Sequence, residues 1–351
     1  MRGLPFAHPG KPRVRLNGSR ITGGGGAPVM RRVDCAMRST NWQFQPPHGR
    51  VSLLRSLVPT LAAVACLCGC GGGGASETGG SSGDDAPGEN SGRRERQVPV
   101  VAVSILPIAG VVDALLPPGV ASISVLVPPG ASPHSFEPGI GQLTLVQSAT
   151  VVLEVGHPAF VWERSWLEGL LSGTDAIRVR LSEGCDLIED DPHVWLDPEC
   201  LRVLAERTAG ALMTAFPDGS PAIRARLDSL NTEIGLADAS VRQRLADRSG
   251  RSFLVQHPAW GYFSRAYGLE QISILTHASS DRGSARLASV IDQAKREHLR
   301  MVIVQPQVNP AAARVVAEEI GAEIRLVDPM TRDPLEALES ITRAVLDATA
   351  P

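Results

Sequence analysis

The sequence predicts an α/β protein of two lobes, each with a mainly parallel four-stranded sheet flanked by helices, joined by one long rigid helix. Two observations support this prediction. From Val98 onward, short apolar runs alternate with amphipathic helical segments, the order that produces β-α-β units and parallel sheets. The alternation occurs twice, on either side of a mostly helical region at residues 198–247. Two such sets imply two sheets and therefore two lobes.

The first lobe is expected over residues 98–218. Its predicted strands are the apolar runs VPVVAVSI, ISVLVP, VVLEV and AIRVRL, which have the composition of buried strands. Helices are predicted near residues 108–116, 140–148 and 161–171. Because helices separate the strands, the strands should run parallel to one another.

The linking helix is expected over residues 219–248. Its apolar residues recur at steps of three, four or seven, which places them on one face of a helix. These residues are Ile223, Leu227, Leu230, Ile234, Val241 and Leu245. Pro221 suits the first helical turn, where its missing N–H group leaves no hydrogen bond unmade. One long helix would connect the lobes stiffly, unlike a flexible hinge of several strands.

The second lobe is expected over residues 249–351. Its predicted strands are SFLVQ, QISIL, MVIVQ and EIRLV. Helices are predicted near residues 262–267, 284–297, 310–320 and 335–348. The order of strands and helices again favours a parallel sheet.

Residues 50–69 have the features of a secretory signal peptide. Arg50 and Arg55 accompany an apolar run that is too short to span a bilayer and that ends in LCGC. This ending resembles the lipobox of bacterial lipoproteins, which implies cleavage before Cys70 and acylation of its thiol, with Cys66 as the alternative. The three cysteines Cys66, Cys68 and Cys70 could also be interpreted as a metal-binding cluster. This interpretation is disfavoured because they lie in an apolar segment without further ligands.

The segments around this signal differ in composition from the predicted lobes. Residues 1–49 are expected not to be translated or to be absent from the mature protein, because a secretory signal belongs at the N-terminus. Residues 70–97 are Gly, Ser and charged residues without an apolar face, which indicates a flexible tether. The net charge of −3 divides into +9 for residues 1–69 and −12 for residues 70–351. An acidic mature protein lacks the basic surface that nucleic acid requires and suits a carrier of cations.

Three histidines and one aspartate lie after predicted strands or before a helix, where α/β proteins place their ligands. His134 follows ISVLVP in a proline-rich loop, and His193 lies in DPHVWLDP. His257 follows SFLVQ directly, and Asp328 follows EIRLV. Each lobe thus contributes two residues. We expect them to close around one divalent metal in the cleft between the lobes.

Several neighbouring residues have competing interpretations. His157 and His277 also lie at strand ends and are alternative ligands. Asp191 is a possible hydrogen-bond partner that would orient the imidazole of His193. The acidic run at residues 189–191 as a whole is interpreted as a solvated loop.

Cys185 and Cys200 flank the central histidine motif. Outside the cytoplasmic membrane a disulfide between them is possible, and it would close a loop of about fifteen residues. Two reduced, buried thiols are the other state that the sequence allows.

Three neutral imidazoles and one carboxylate suit Zn(II), which takes four ligands tetrahedrally and accepts nitrogen readily. Mn(II) prefers more oxygen donors and a higher coordination number, so it is the second choice. Four protein ligands leave no position for an activated water molecule. The donor set therefore favours metal binding over hydrolysis.

The histidine motifs resemble those of a known family. GASPHSFEP, DPHVWLDP and HPAWGYFSRAYGL are similar to the three histidine motifs of the metal-binding lipoproteins of zinc and manganese ABC transporters, the cluster A-I substrate-binding proteins. VQPQVNPAAARVVAEEIGAEIRLVDP resembles the family's C-terminal segment, which ends in the acidic ligand. The resemblance covers about residues 98–348. It implies two α/β lobes joined by a helix, with His134, His193, His257 and Asp328 as ligands.

The sequence departs from the family pattern in three places. Residues 182–191 offer only acids where zinc-specific members often carry a long His-rich loop. In the third histidine motif, Pro258 occupies a position at which family members commonly have an acidic residue. After Asp328 the family's tyrosine-bearing stretch is replaced by MTRDPLEAL, so Asp333 is the alternative acidic ligand. Three histidines still favour zinc over manganese.

These features predict a lipid-anchored, extracytoplasmic solute-binding protein, not an enzyme, that captures Zn(II) and delivers it to an ABC permease in the membrane. It is expected to be a monomer and to bind no nucleic acid. Binding of Mn(II) or Fe(II) in the same type of transporter is one alternative. A secreted metallohydrolase with Glu137 or Asp191 as base is another, although the sequence lacks H-E-x-x-H and G-x-S-x-G. A metal-independent adhesin or organic-ligand binder on the same fold is the third.

Overall fold

The computed structural model describes residues 98–276 and 283–349. Within them the strands are β1 (Val100–Val103), β2 (Ser122–Val125), β3 (Val151–Glu154), β4 (Ile177–Arg180), β5 (Ser252–Val255), β6 (Glu270–Ser273), β7 (Met301–Val304) and β8 (Glu323–Leu326). The α-helices are α1 (Leu106–Leu115), α2 (Ile140–Gln147), α3 (Glu168–Leu170), α4 (Pro198–Ala215), α5 (Ser220–Leu245), α6 (Gly261–Tyr267), α7 (Ser284–Arg296), α8 (Ala311–Ile320) and α9 (Pro334–Ala348). The predicted signal peptide and tether, Cys70 and His277 lie outside the described residues.

The first sheet has the strand order β2-β1-β3-β4, and its strands pair in parallel. Val101 pairs with Ile123 on one side and with Val151 on the other. The central strands β1 and β3 are almost entirely buried. Their continuous runs of apolar residues are what a parallel sheet covered on both faces requires.

The second sheet repeats this arrangement in the order β6-β5-β7-β8, again with parallel pairing. Leu254 pairs with Ile272 and with Val302. The predicted fold class, with two parallel four-stranded sheets flanked by helices and a long helix between them, is therefore confirmed. In each sheet the carboxyl ends of the strands share one edge, and the loops after them are placed to form a site.

Helix α5 lies between the two sheets in the chain and is 26 residues long, about 39 Å. Five of its six predicted inward residues are buried, and Leu227 is partly buried. The helix packs against α1, α4 and α9. Its Arg244 side chain donates a hydrogen bond from Nη1 to Glu339 Oε2 of α9 at 2.6 Å. The long helix thus contacts elements from both ends of the described chain.

One hydrophobic core extends through both lobes. Leu338 and Ile341 of α9 belong to the same cluster as the first sheet and as Phe253 and Val255 of β5. A second, smaller cluster fills the space between the second sheet and helices α7 and α8. Because the larger core continues from one lobe to the other, wide separation of the lobes would expose apolar surface to water.

The loop after β8 is fastened to the first lobe at two points. Gly110 of α1 approaches it so closely that an added Cβ would overlap the carbonyl oxygen of Arg332. The Arg332 guanidinium also pairs with Asp113 at 2.5 Å. Pro329 lies earlier in the same loop. Its carbonyl oxygen accepts a buried hydrogen bond of 2.8 Å from Nε1 of Trp195, which lies before α4. The loop is therefore held in one place relative to α1 and to the segment before α4.

Candidate metal centre

Three histidines from three separate loops meet at one point. His134 lies between β2 and α2, His193 lies before α4, and His257 lies two residues after β5. One possible ligand nitrogen from each lies within 4.8 Å of the others. The ring centroids of His134 and His257 are 4.8 Å apart, and those of His193 and His257 are 5.5 Å apart. His193 and His257 are buried, whereas His134 is exposed, so solvent reaches the cluster beside His134.

The spacing of the three imidazoles fits one tetrahedral metal ion after a small movement. With Zn–N bonds of about 2.0–2.1 Å, ligand nitrogens lie roughly 3.3 Å apart. The nitrogens, all within 4.8 Å of one another, therefore need to approach by no more than about 1.5 Å. Three imidazoles are also a donor set that zinc accepts readily.

Asp191 orients the His193 ring. The Nδ1–H group of His193 donates to Asp191 Oδ1 at 2.6 Å, and the backbone N–H of His193 donates to the same oxygen at 3.0 Å. Because the carboxylate accepts, the ring proton lies on Nδ1 and Nε2 keeps its lone pair for a metal. Asp191 is only 3% exposed. The interpretation of residues 189–191 as a solvated loop is therefore wrong for Asp191, which this contact buries, while Glu189 and Asp190 are exposed as predicted.

Helix α6 of the second lobe holds the loop that precedes α4. The backbone N–H of Ile188 donates to the Tyr262 hydroxyl at 2.8 Å. Arg265 donates to the carbonyl oxygen of Asp186 at 2.9 Å and to Asp197 Oδ2 at 3.0 Å. Burial raises the pKa of the Tyr262 hydroxyl, which therefore stays protonated at neutral pH. A loop of the first lobe is thus tied to the second lobe near its middle and at its C-terminal end.

Asp328 follows β8, which lies two strands from β5 in the second sheet, and is not part of the histidine group. Its half-buried Oδ1 accepts hydrogen bonds from Gln307 Nε2 at 2.7 Å and from the backbone N–H of Met330 at 2.8 Å. Among the described residues, the metal-capable group with this spacing consists of the three histidines. The structure thus brings together three of the four predicted ligands, and ligation by Asp328 stays a prediction.

Most of the described chain matches a known protein family. The family model described as zinc-uptake complex component A, periplasmic (ZnuA), matches residues 101–348. The chain belongs to this family. The resemblance inferred from the three histidine motifs is therefore confirmed.

Relatives of this chain include the zinc-binding lipoprotein AdcA of Streptococcus pneumoniae serotype 4 (strain TIGR4), which is 23% identical over 237 residues, 60% of this chain and 46% of AdcA. The chain thus spans about half the length of the AdcA relatives it matches. A crystal structure of ZnuA has a TM-score of 0.67 at 29% identity, covering 72% of this chain and 99% of that chain. The periplasmic zinc-binding protein TroA from Treponema pallidum has a TM-score of 0.66 at 19% identity, covering 72% and 100%, and shows the fold alone.

The alternative ligands occupy other places in this zinc-uptake family member. His157 is buried, and its Nδ1 accepts a hydrogen bond from the backbone N–H of Ala159 at 2.9 Å, which places the ring proton on Nε2. Burial also lowers the pKa of His157. Asp333 accepts a hydrogen bond from the backbone N–H of Leu335 at 2.9 Å and caps the N-terminus of α9. The structure brings neither of them into the histidine group, and His277 lies outside the described residues.

The possible disulfide between Cys185 and Cys200 is not formed in the structure. Both residues are free thiols, Cys185 half-buried and Cys200 buried. The Cys185 thiol instead donates a weak hydrogen bond to the carbonyl oxygen of Cys200 at 3.9 Å. A separate contact between the two side-chain thiols lowers the pKa of Cys185, and the same contact raises that of Cys200. The structure therefore corresponds to the reduced state of the two that the sequence allows.

Two residues beside the site were not identified from the sequence. Gln307 lies three residues after β7, a strand-end position similar to that of His257, but an amide is not among the usual ligands of zinc. Tyr262 contacts Ile188 across 74 residues, and no local pattern signals such a contact. The strand-end rule, applied to amides as well, would have found Gln307.

Gly261, the first residue of α6, leaves room for the Asp191 carboxylate, because an added Cβ would overlap Asp191 Oδ2. We expect Gly261→Ala to displace Asp191 and to lower the affinity for zinc by about tenfold or more, since the partners of ligating imidazoles contribute effects of that size. Competition with a fluorescent zinc chelator measures the change. Gly141→Ala in α2 is the control, because an added Cβ there meets nothing within 4 Å. Equal affinities of the two variants would contradict this role of Gly261.

Proposed function

We propose that this chain is the extracytoplasmic solute-binding component of an ABC transporter, and that it captures Zn(II) between its lobes and delivers it to a membrane permease for import. The observation that carries the proposal is the meeting of His134, His193 and His257 within 4.8 Å, each from a different loop. Asp328, which follows β8 in the second sheet, is the proposed fourth ligand. Membership in the zinc-uptake family and the similarity to a lipoprotein named as zinc-binding support the choice of substrate.

Zinc is the preferred substrate because the cluster offers nitrogen donors. Three imidazoles and one carboxylate make a tetrahedral set of three nitrogen donors and one oxygen donor, which is an ordinary coordination geometry for Zn(II). Mn(II) and Fe(II), the alternative substrates, are served better by sites with more oxygen donors and more ligands. The buried hydrogen bond from His193 to Asp191 adds to the preference, because it makes the imidazole a stronger donor.

The proposed role is binding and transport rather than catalysis. Catalytic zinc sites keep one coordination position open for water, whereas three histidines and Asp328 would fill all four positions. Asp191, one of the two candidate bases of a hydrolase, is buried and already accepts a hydrogen bond from the Nδ1–H group of His193. It is therefore engaged in orienting a ligand and is poorly placed to activate water.

Membrane attachment is proposed from the sequence. Residues 50–69 would direct export, acylation of Cys70 would anchor the protein, and residues 70–97 would act as the tether. Among residues 98–276 and 283–349, no helix has both the length and the apolar character needed to cross a bilayer. We propose that the anchored protein is a monomer and that the permease is its partner. The proposed lobes remain residues 98–218 and 249–351, with the linking helix at residues 219–248.

Isothermal titration of the metal-free protein with Zn(II), followed by competition with Mn(II), tests this proposal. We expect one zinc ion to bind per chain with a dissociation constant well below about 1 μM, which corresponds to more than about 8 kcal/mol. An excess of Mn(II) over Zn(II) of roughly tenfold should leave most of the zinc bound to the protein. The absence of zinc binding would contradict the proposal, and tighter binding of Mn(II) would replace zinc by manganese as the substrate.

A further inference from the structure

Two polar side chains meet where the adjacent strands β7 and β8 end. Gln307 follows β7, and Asp328 follows β8. The Nε2–H group of Gln307 donates to Asp328 Oδ1 at 2.7 Å, and the backbone N–H of Met330 donates to the same oxygen at 2.8 Å. Both donors therefore act on Oδ1, and Oδ2 is the oxygen that they leave for a metal.

The orientation of the Gln307 amide is set by this contact. An ionised carboxylate only accepts hydrogen bonds, so the NH₂ group of the amide must face Asp328. The carbonyl oxygen Oε1 is then buried without a hydrogen-bond partner among the described residues. A buried oxygen without a partner is unfavourable, and its presence in a native structure calls for an explanation. The contact with Asp328 is a charge-assisted hydrogen bond, which is strong enough to hold the amide in this orientation.

Gln307 also borders the histidine cluster. It lines a cavity of about 10 Å³, roughly the space of one water molecule or ion. The lining includes His134, His193, Gln305 and the two residues after Asp328. An amide in this position can act on the carboxylate of Asp328 while remaining beside the metal-binding residues.

We propose that Gln307 determines the metal preference of the site by holding Asp328 Oδ1, so that Asp328 offers only Oδ2 to the metal. One carboxylate oxygen and three imidazoles make the four-coordinate set that Zn(II) prefers. A carboxylate free to use both oxygens would raise the coordination number and add an oxygen donor, which favours Mn(II). Gln307 is a positioning residue in this scheme because it acts through Asp328. The inference rests on the proposed function, since it requires a metal at the histidine cluster.

Gln307→Met tests this inference, because methionine has a similar length but no N–H donor. Binding of Zn(II) and Mn(II) is measured separately, and the coordination number of bound zinc is obtained by X-ray absorption. We expect Mn(II) to bind about tenfold more tightly than to the wild type, zinc affinity to change by less than about threefold, and the zinc coordination number to rise from about four to about five. Gln305→Met is the matched control, because Gln305 lines the same cavity while the bonds to Asp328 come from Gln307 and Met330.

The outcomes separate this inference from the proposed function. If the wild type binds no zinc, the proposed function fails; if it binds zinc and Gln307→Met leaves the zinc-to-manganese ratio and the coordination number unchanged, only the role of Gln307 fails. An equal loss of affinity for both metals would indicate a structural role and would also overturn the inference. In an Asp328→Ala background, Gln307→Met should no longer alter the ratio. If Gln307→Met does not fold, Gln307→Leu, whose side chain also has no donor and adds no oxygen beside the metal, carries the same expectation.

Discussion

Replacing both His193 and His257 by alanine is expected to lower the affinity for zinc by about a thousandfold or more. Four-ligand zinc sites bind with roughly 10–16 kcal/mol, so the loss of two ligands removes several kcal/mol. These two histidines are the buried members of the cluster, and the ring of His193 is already oriented by Asp191. Competition with a chromophoric zinc chelator measures the affinity, and metal analysis of the purified variant gives the stoichiometry.

His298→Asn is the control for this double variant. His298 is exposed, and its backbone is in the left-handed region at φ 55°, which asparagine tolerates better than alanine. The control removes one imidazole from the chain, but not from the cluster, and should bind zinc like the wild type. If the double variant still bound one zinc ion per chain with wild-type affinity, while remaining folded, the assignment of the site would be wrong.

Glu163→Gln is expected to lower the free energy of unfolding by about 2–3 kcal/mol at mildly acidic pH. Glu163 is 5% exposed, and its two oxygens accept hydrogen bonds from the backbone N–H groups of Val155 and Gly156, each at 2.7 Å. A glutamine side chain has one acceptor oxygen, and its NH₂ group would face the second backbone N–H. A buried donor without a partner costs about 1–3 kcal/mol, and repulsion between the two donors adds to it.

The effect of Glu163 depends on pH in a defined direction. Burial raises the pKa of Glu163 from its usual value near 4.5 to about 7. The folded state therefore holds this proton more tightly than the unfolded chain does. The resulting stabilisation is fully present below about pH 4.5 and is lost as the pH rises through about 7. The difference in stability between the wild type and Glu163→Gln should therefore shrink by roughly 2–3 kcal/mol between about pH 5 and pH 8.

Urea unfolding of both proteins at a series of pH values measures this difference. Glu168→Gln is the matched control, because Glu168 lies one turn further along but its side chain is largely exposed. Its ion pair with Arg178 is exposed and contributes little, so we expect this control to differ from the wild type by a small amount that is constant between pH 5 and pH 8. A difference between wild type and Glu163→Gln that stays constant from pH 5 to pH 8 would show that Glu163 has the same protonation behaviour in the folded and unfolded chains.

Much of the fold and part of the site were predictable because the relevant signals are local. Short apolar runs alternating with amphipathic segments predicted both parallel sheets, and the regular spacing of Ile223, Leu230 and Ile234 predicted a long helix with one buried face. The strand-end rule selected His134 and His257, because a loop after a parallel strand opens at the same edge as its neighbours. The burial of Asp191 was not predictable in the same way, since its acidic neighbours Glu189 and Asp190 are exposed.

The sequence by itself determined the fold class and the candidate ligands, because hydrophobic periodicity and residue type are properties of short segments. Only the tertiary structure decided which candidates meet. Their positions depend on contacts between distant residues, such as Ile188 with Tyr262 across 74 residues and Trp195 with Pro329 across 134. In the resulting structure the three histidines lie together, and Asp328 accepts a hydrogen bond from Gln307. No local pattern encodes these contacts, because they arise only when the two lobes pack around a common core.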